Sequence, residues 1–278
     1  MALLTFVFVY PFYVILLISL NDSIDLMNGY PLWLPRKWTI ENYSAVLRSP
    51  ILIRAVLLSV SRTVATTAAG LICNGMLAFA LTRKELLGRR LLNQIFILTM
   101  YVSGGLIPYY LQINSMGLIN NFWVFVLPYI VSVYYVLIIK SYFNGLPDSV
   151  EESAKLDGCN ELQTFAFIVL PMSLPVFAAI GVYYAIGQWN SWWDNYIFAS
   201  RQDMVTLQLL LVKVIKEADI VSMMTEKGTG SIMRNLAVAS PVGVRMATTI
   251  VATVPILTAY PFFQKYFISG ITIGAVKG

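Results

Sequence analysis

Few residues in this chain could do chemistry, and most of them lie in one short polar stretch. The sequence contains no histidine and only two cysteines, Cys73 in an apolar run and Cys159 in a polar one. Histidine-based catalysis and most transition-metal sites are therefore excluded, and a disulfide is not expected. No G-x4-G-K-[ST] phosphate loop occurs, so any use of ATP must occur on another polypeptide. We expect a protein without catalytic residues, metal or cofactor of its own.

The polar stretch, residues 146–171, lies between two apolar runs and reads LPDSVEESAKLDGCNELQTFAFIVLP. Asp148 can cap a helix that starts at the next residue, and Glu151 lies at the capping-box spacing. Gly158 offers the left-handed conformation that ends such a helix, and Asn160 can cap a return helix. The pattern predicts a helical hairpin that projects from a membrane surface as a docking element. An ordinary solvated hairpin between two spans is the alternative that these features leave open.

A second group of candidates follows the apolar run that ends near residue 188, in the sequence QWNSWWDNYIF. Indole rings stack on sugar rings, and amides and carboxylates bind hydroxyl groups, so this segment could bind a sugar. The candidates are Trp189, Asn190, Trp193, Asp194 and Asn195. An aromatic belt at the membrane interface is the alternative.

Arg62 is a further candidate because it lies inside a long apolar run. A charge there is costly unless it faces protein, water or a counter-charge. Arg62 is therefore either a functional residue or an arginine whose side chain snorkels to the membrane interface.

The composition is that of an integral membrane protein. Hydrophobic residues make up 58% of the 278 residues and charged residues 12%, against about 25% charged in soluble domains. The mean hydropathy is +0.72. The net charge of +5 comes from basic residues beside apolar runs, and no basic run with interleaved aromatics occurs. Nucleic acid is therefore not an expected partner.

Apolar segments of spanning length predict an all-α integral membrane protein, a single domain with six transmembrane helices. The predicted spans cover about 3–20, 55–81, 91–113, 122–139, 165–188 and 246–263. Gly104, Gly105 and Pro108 predict a break near the end of the third span. Residues 205–221 are too charged to span and predict a surface helix. Basic residues lie on both sides, so their number does not fix the orientation, although the dense turn around residues 83–90 favours a cytoplasmic position.

The polar stretch also contains a longer pattern, E-x-A-x3-G-x9-I-x-L-P. Its positions are Glu152, Ala154, Gly158, Ile168, Leu170 and Pro171, with Ser153 where alanine is usual. This pattern resembles the EAA loop of permease subunits in ATP-driven, binding-protein-dependent importers. The segment WTIENY at 38–43 and the terminal GITIGAVKG are similar to stretches of maltose-type sugar permeases, which extends the resemblance to the last residue. The matching tail positions include Gly270, Thr272, Gly274 and Lys277.

The resemblance implies a type I importer fold in which the polar stretch is a cytoplasmic coupling hairpin. The coupling residues would be Val150, Glu151, Glu152, Ser153, Ala154, Lys155, Asp157, Gly158, Ile168, Leu170 and Pro171. Both termini would be cytoplasmic, residues 199–245 would form an outward loop, and Arg62 with the tryptophan segment would line the substrate path. The chain would lie, as a multi-pass protein, in the cytoplasmic membrane of a bacterium.

The resemblance also implies partners and a substrate class. The partners would be membrane lipid, a homologous second permease subunit, two ATP-binding subunits that hold ATP and Mg²⁺, and a soluble solute-binding protein. The substrate would be an oligosaccharide. The branch includes carriers of acidic fragments of alginate or pectin, which the isoelectric point of about 9.1 would suit. In the maltose-type family, the second permease subunit holds most of the contacts with the sugar.

Two other classes of function compete with import driven by ATP. A secondary transporter driven by an ion gradient usually needs carboxylates within the membrane, and no predicted span contains Asp or Glu. A membrane-embedded enzyme is disfavoured because histidine is missing and no span contains paired carboxylates. The secondary transporter remains the alternative.

Overall fold

The computed structural model describes residues 2–22, 25–29, 31, 33–224 and 242–258. These residues are mainly helical, and β-structure among them is limited to one antiparallel bridge between Asn21 and Trp38. The helices are α1 (Ala2–Ser19), α2 (Glu41–Leu47), α3 (Pro50–Thr82), α4 (Arg89–Thr99), α5 (Leu106–Ser115), α6 (Val133–Phe143), α7 (Asp148–Leu156), α8 (Glu161–Met172), α9 (Leu174–Asn190), α10 (Trp193–Phe198), α11 (Leu207–Met224) and α12 (Val242–Thr258). The all-α prediction is confirmed.

One helix of the described part, α3, is both long and apolar enough to cross a membrane; it has 33 residues. Two bent pairs of helices could each form a further span, which gives up to 3 spans in the described part. One pair joins residues 122–129 to α6 with a bend of 46°, and the other joins α8 to α9 with a bend of 81°. Shorter apolar helices lie at Leu3–Ser19 and Val242–Thr258, and residues 259–263 of the last predicted span lie outside the described part.

The third apolar segment is interrupted, as its glycines predict. Helix α4 ends at Thr99 and α5 begins at Leu106. Gly105 lies between them with a φ of 82°, a left-handed value that glycine adopts without the steric cost of a side chain.

The fourth segment, predicted as a span over 122–139, is broken rather than one continuous helix. Two short 3-10 helices, Phe122–Phe125 and Leu127–Tyr129, precede α6, which continues to Phe143. Pro128 lacks a backbone N–H group and so interrupts helical hydrogen bonding. The Asn74 side chain accepts from the Ser132 N–H at 2.8 Å and donates to the Ile130 carbonyl at 2.8 Å. The backbone groups freed at the break are thus satisfied by α3.

The fifth segment, predicted as a span over 165–188, is bent at Ser173. Pro171 and Pro175 remove two N–H donors around this residue. Residues Thr164–Val169 of α8 form a π-helix, a wider turn that is frequent at functional sites. The chain therefore leaves the hairpin through an irregular stretch before α9 begins.

The described chain divides into two compact units. The first comprises residues 1–59 and 191–259, and Asn42 and Asn195 organise its polar interior. The Asn42 amide donates to the carbonyls of Ser19 and Asn21, both at 3.0 Å. The Ser59 hydroxyl accepts from the Leu207 N–H at 2.9 Å, so the start of the predicted surface helix, α11, is buried within this unit.

The second unit comprises residues 60–190 together with a terminal segment that is not described. Its hydrophobic core joins α3, α6, α8 and α9 through residues that include Phe79, Ile139, Phe143, Phe165 and Phe177. Two glycines of α3 allow this close packing. A Cβ atom on Gly70 would lie 2.7 Å from the Tyr184 ring, and one on Gly75 would lie 2.7 Å from the Phe177 ring.

Candidate functional site

The polar stretch forms a helical hairpin with a defined return helix. The structure confirms the cap at Asn160: its Oδ1 atom accepts from the Gln163 N–H, and Gln163 Oε1 accepts from the Asn160 N–H, both at 2.9 Å. These two bonds form a capping box. The cap predicted at Asp148 is wrong, because α7 already includes Asp148 and Pro147 occupies the N-cap position.

The turn between the two helices is fixed by its backbone. Gly158 has a φ of 82°, which confirms the predicted left-handed conformation. The Cys159 N–H donates to the Ala154 carbonyl at 3.0 Å, and the Gly158 N–H donates to the Lys155 carbonyl at 3.1 Å. These bonds make a Schellman motif, which ends α7 and turns the chain back.

An ion pair ties the hairpin to α3. Arg83 lies just beyond the end of α3 and donates to Glu151 through two bonds, Nη1 to Oε2 at 2.6 Å and Nη2 to Oε1 at 2.8 Å. Its guanidinium also lies 4.0 Å from the centre of the Phe79 ring. Because Phe79 belongs to the hydrophobic core, the pair connects α7 to the rigid part of the second unit.

Arg83 also reaches the return helix, since its Nη1 atom lies 3.6 Å from Glu161 Oε2. Burial lowers the pKa of Arg83, but the hydrogen bond and the charge of Glu151, with help from Glu161 and Glu85, raise this pKa above its ordinary value. The guanidinium therefore stays charged at any physiological pH. The side chains of Arg83 and Glu151 are 16% and 26% exposed, so water screens this pair less than a surface ion pair.

Sequence reasoning missed Arg83 as a hairpin residue and assigned Glu151 to a capping box. The two residues are 68 positions apart, and no spacing rule connects them. The available signal was weak: Arg83 directly follows the apolar run of α3, and the hairpin holds most of the acidic residues near the predicted cytoplasmic face.

The outer surface of the hairpin is mixed in character. Leu156, Leu162 and Phe167 are 89%, 66% and 74% exposed, which leaves apolar side chains on both helices available to a partner. Ala154, another predicted coupling residue, is 3% exposed and is therefore buried rather than available to a partner. Of the other predicted coupling residues, Glu152, Ser153, Lys155, Asp157, Gly158 and Pro171 are exposed, whereas Val150, Glu151, Ile168 and Leu170 are partly buried.

Arg62 is completely buried in the second unit. Its Nη2 atom donates to Gln188 Oε1 at 2.9 Å, and its guanidinium carbon lies 4.7 Å from the centre of the Phe125 ring. The snorkelling alternative is therefore wrong, because no part of this side chain reaches the protein surface.

The aromatic segment is divided between the two units. Trp189 is buried and Asn190 is exposed at the end of α9, and both belong to the second unit with Arg62. Trp193, Asp194 and Asn195 belong to the first unit.

Within the first unit, the candidates differ in what they contact. Trp193 is exposed and stacks on Tyr196, with ring centres 6.0 Å apart, and Asp194 accepts from the Ser191 hydroxyl at 2.7 Å. The Asn195 amide donates to the Met204 carbonyl and accepts from the Thr206 N–H, both at 2.7 Å. Asn195 therefore holds the following turn in place.

The tail residues Gly270, Thr272, Gly274 and Lys277 lie outside the described residues, as do residues 225–241 of the predicted outward loop. The membrane-length helix, the buried arginine and the hairpin are features of a membrane component. The chain belongs to the family of binding-protein-dependent transport system inner membrane components, whose model matches residues 1–273. It is thus an inner membrane permease, and the resemblance stated from the sequence is confirmed.

Curated relatives cover nearly the whole chain. The polygalacturonan/rhamnogalacturonan transport system permease protein YtcP of Bacillus subtilis (strain 168) is 34% identical over 97% of this chain and 93% of its own length. The arabinooligosaccharides transport system permease protein AraQ of the same strain is 27% identical over 99% of this chain and 93% of its own.

A solved structure shares the fold. It is a chain of a bacterial ABC transporter involved in the import of the acidic polysaccharide alginate, with a TM-score of 0.86 and 24% sequence identity. The match covers 96% of this chain and 93% of that one.

Proposed function

We propose that this chain is a transmembrane subunit of an ATP-driven ABC importer of the type I class, and that it moves an oligosaccharide into the cell. The observation that carries the proposal is the hairpin at residues 146–171. It exposes apolar side chains for a partner, yet Arg83 and Glu151 fix it to the core of the second unit. A rigid, exposed and anchored element is what the transmission of a partner's motion requires.

In this proposal, closure of the partner ATP-binding subunits pushes on the exposed face of the hairpin. Arg83 contacts both helices of the hairpin, so α7 and α8 move together. Helix α8 then transmits the displacement through its π-helical segment to α9. ATP and Mg²⁺ bind only to the partner subunits, and this chain contributes neither a cofactor nor a catalytic residue.

The assembly we propose contains a second permease subunit, two ATP-binding subunits and a solute-binding protein. The chain crosses the lipid membrane six times, with both termini cytoplasmic and with residues 199–245 facing the solute-binding protein. The sequence-predicted path residues stay part of this proposal within their own units: Trp189 and Asn190 in the second, and Trp193, Asp194 and Asn195 in the first. Arg62 is completely buried, so it would act on the solute through Gln188 and would not line the path itself. The tail positions Gly270, Thr272, Gly274 and Lys277 match the terminal pattern of maltose-type permeases, and we assign them no further role.

We further propose that the sugar is acidic. The relative at 34% identity is named for polygalacturonan and rhamnogalacturonan, which contain uronic acids. The arabinooligosaccharide permease, named for a neutral sugar, is less similar, at 27% identity.

Uptake by the purified assembly in proteoliposomes tests this substrate. Trigalacturonate is compared with its methyl ester, which keeps the same rings without charge, and with arabinotriose. We expect ATP-dependent uptake of trigalacturonate and at least tenfold less of the other two, since about 1.4 kcal/mol of lost attraction corresponds to a factor of ten. Equal uptake of the methyl ester, or uptake of arabinotriose alone, would show that the substrate is not selected by charge.

A further inference from the structure

A tyrosine-lined cavity lies in the second unit beside the break that precedes α6. Its volume is about 320 Å³, at the lower end of the range of ligand sites, about 300–1,000 Å³. The break and α6 contribute one wall and α9 the other. The lining residues that matter here are Ser132, Tyr135, Tyr183, Tyr184, Gly187 and Gln188.

The back of the cavity is held rigidly. The Tyr184 hydroxyl accepts from Asn74 Nδ2 at 2.9 Å and lies 3.2 Å from the carbonyl oxygens of Tyr129 and Ile130. The Tyr135 ring packs against the Tyr184 ring with centres 4.7 Å apart. These contacts fix Tyr184 and the carbonyl groups at the break, so the back wall of the cavity has a defined shape.

Three polar groups on the walls remain available to a ligand. In the part of the chain that the structure describes, the hydroxyls of Tyr135 and Tyr183 have no hydrogen-bond partner, and the Tyr183 side chain is well exposed. Gln188 Oε1 accepts from Arg62, which leaves the NH₂ group of Gln188 to donate. Gly187 adds space between them, since a Cβ atom there would meet nothing within 4 Å.

These groups match the chemistry of a sugar ring. Tyrosine offers an aromatic face for the C–H groups and a hydroxyl for hydrogen bonds, and an amide donor can bind a hydroxyl or a carboxylate. A lipid chain would leave these polar groups without partners, which is unfavourable in an apolar environment. Arg62 occupies Gln188 Oε1, so the NH₂ group is the part of this side chain that can donate to a sugar hydroxyl or carboxylate.

We infer that this cavity is a saccharide subsite, which binds one acidic sugar ring as the oligosaccharide passes this chain. The inference rests on the proposed function and deepens it. It adds Tyr135, Tyr183 and Gln188 to the residues that contact the solute, and it gives Arg62 a role as the positioning residue of Gln188.

The first test is protection from a thiol reagent, which does not depend on transport. Ser132→Cys is introduced in a Cys73→Ser, Cys159→Ser background, and the whole assembly is treated with a small methanethiosulfonate. We expect trigalacturonate to slow labelling at this position at least threefold. Ser103→Cys, at the break between α4 and α5, is the matched control and should label at the same rate with and without sugar.

The second test is the concentration dependence of uptake. Tyr135→Phe and Tyr183→Phe each remove one hydroxyl and keep the ring, so KM for trigalacturonate should rise about 3- to 10-fold with little change in kcat. Gly187→Leu should fill the cavity and abolish uptake. Tyr134→Phe, on the same helix but outside the cavity, is the control and should behave as the unaltered protein.

The outcomes separate this inference from the proposed function. Protection at Ser132→Cys together with raised KM values supports the subsite. Normal uptake of trigalacturonate with no protection, or with unchanged KM in both phenylalanine variants, overturns the subsite alone. Absence of uptake by the unaltered assembly overturns the proposed acidic substrate, and the subsite with it.

Discussion

Arg83 shows at the scale of a single residue how the hairpin is joined to the rest of its unit. The guanidinium stacks on Phe79 and forms two hydrogen bonds with Glu151. Lysine has the charge but not the planar fork, so it cannot reproduce both contacts.

Arg83→Gln should therefore reduce solute-stimulated ATP hydrolysis several-fold while the subunit still inserts, and Arg83→Lys should have an intermediate effect. The reason is that Glu151 loses a charged partner in a partly buried position, at a cost of about 1–3 kcal/mol. ATPase assays on the purified assembly measure this. The control is Lys84→Gln, which removes a neighbouring positive charge that does not bind Glu151. An equal loss of ATP hydrolysis in this variant would refute a specific role for Arg83.

Gly158 provides a second prediction for a single residue. Its surroundings are empty, so the only demand on the position is a left-handed backbone. Gly158→Val should cost roughly 1–2 kcal/mol and misdirect the hairpin, whereas Gly158→Asn should cost less because asparagine tolerates this conformation. The measurement is the ratio of sugar transported to ATP hydrolysed, and equal ratios in both variants would contradict this role for the turn.

For single residues, the sequence predicts turns and helix caps, but it does not predict contacts between distant segments. Gly158 and Asn160 were identified because turn and cap rules act over three or four residues. The partner of Glu151 depends on how α3 meets the hairpin, and the burial of Ala154 depends on how α7 is packed. No pattern within the polar stretch contains that information.

At the scale of elements, α3 approaches α9 closely at two glycines, Gly70 and Gly75. Gly75 lies so close to Phe177 that any side chain would force the helices apart or displace the ring. Gly75→Val should lower the unfolding temperature of the detergent-solubilised subunit by several degrees, because overpacking costs about 1–3 kcal/mol. Gly187→Ala, where the added methyl group meets open space, is the control. An unchanged midpoint of thermal unfolding for Gly75→Val would contradict the close contact between Gly75 and the Phe177 ring.

Breaks in helices were predicted only where the sequence marks them strongly. Gly104, Gly105 and Pro108 together indicated the gap between α4 and α5. The break near Pro128 was missed because its hydrophobic neighbours continue a spanning pattern, and its backbone groups are satisfied by the distant Asn74. The bend at Ser173 was missed for a related reason, since prolines in membrane helices are often tolerated.

At the scale of the whole molecule, the orientation in the membrane can be tested with a native residue. Cys159 lies in the hairpin turn and is partly exposed. In a Cys73→Ser background, a membrane-impermeant maleimide should label it in inside-out vesicles and not in right-side-out vesicles. Gln202→Cys, in the loop assigned to the opposite face, should show the reverse. Labelling of both positions from one side would refute the proposed topology.

The central claim is that ATP hydrolysis on partner subunits drives sugar import through this chain by way of the hairpin. The most direct measurement is uptake of trigalacturonate by proteoliposomes that contain the assembly, with and without internal ATP, in the presence of an ionophore that abolishes ion gradients. We predict that uptake requires ATP, is insensitive to the ionophore, and is lost in Glu152→Ala although the assembly still forms. Uptake that continues without ATP and collapses with the ionophore would contradict the account and indicate a secondary transporter.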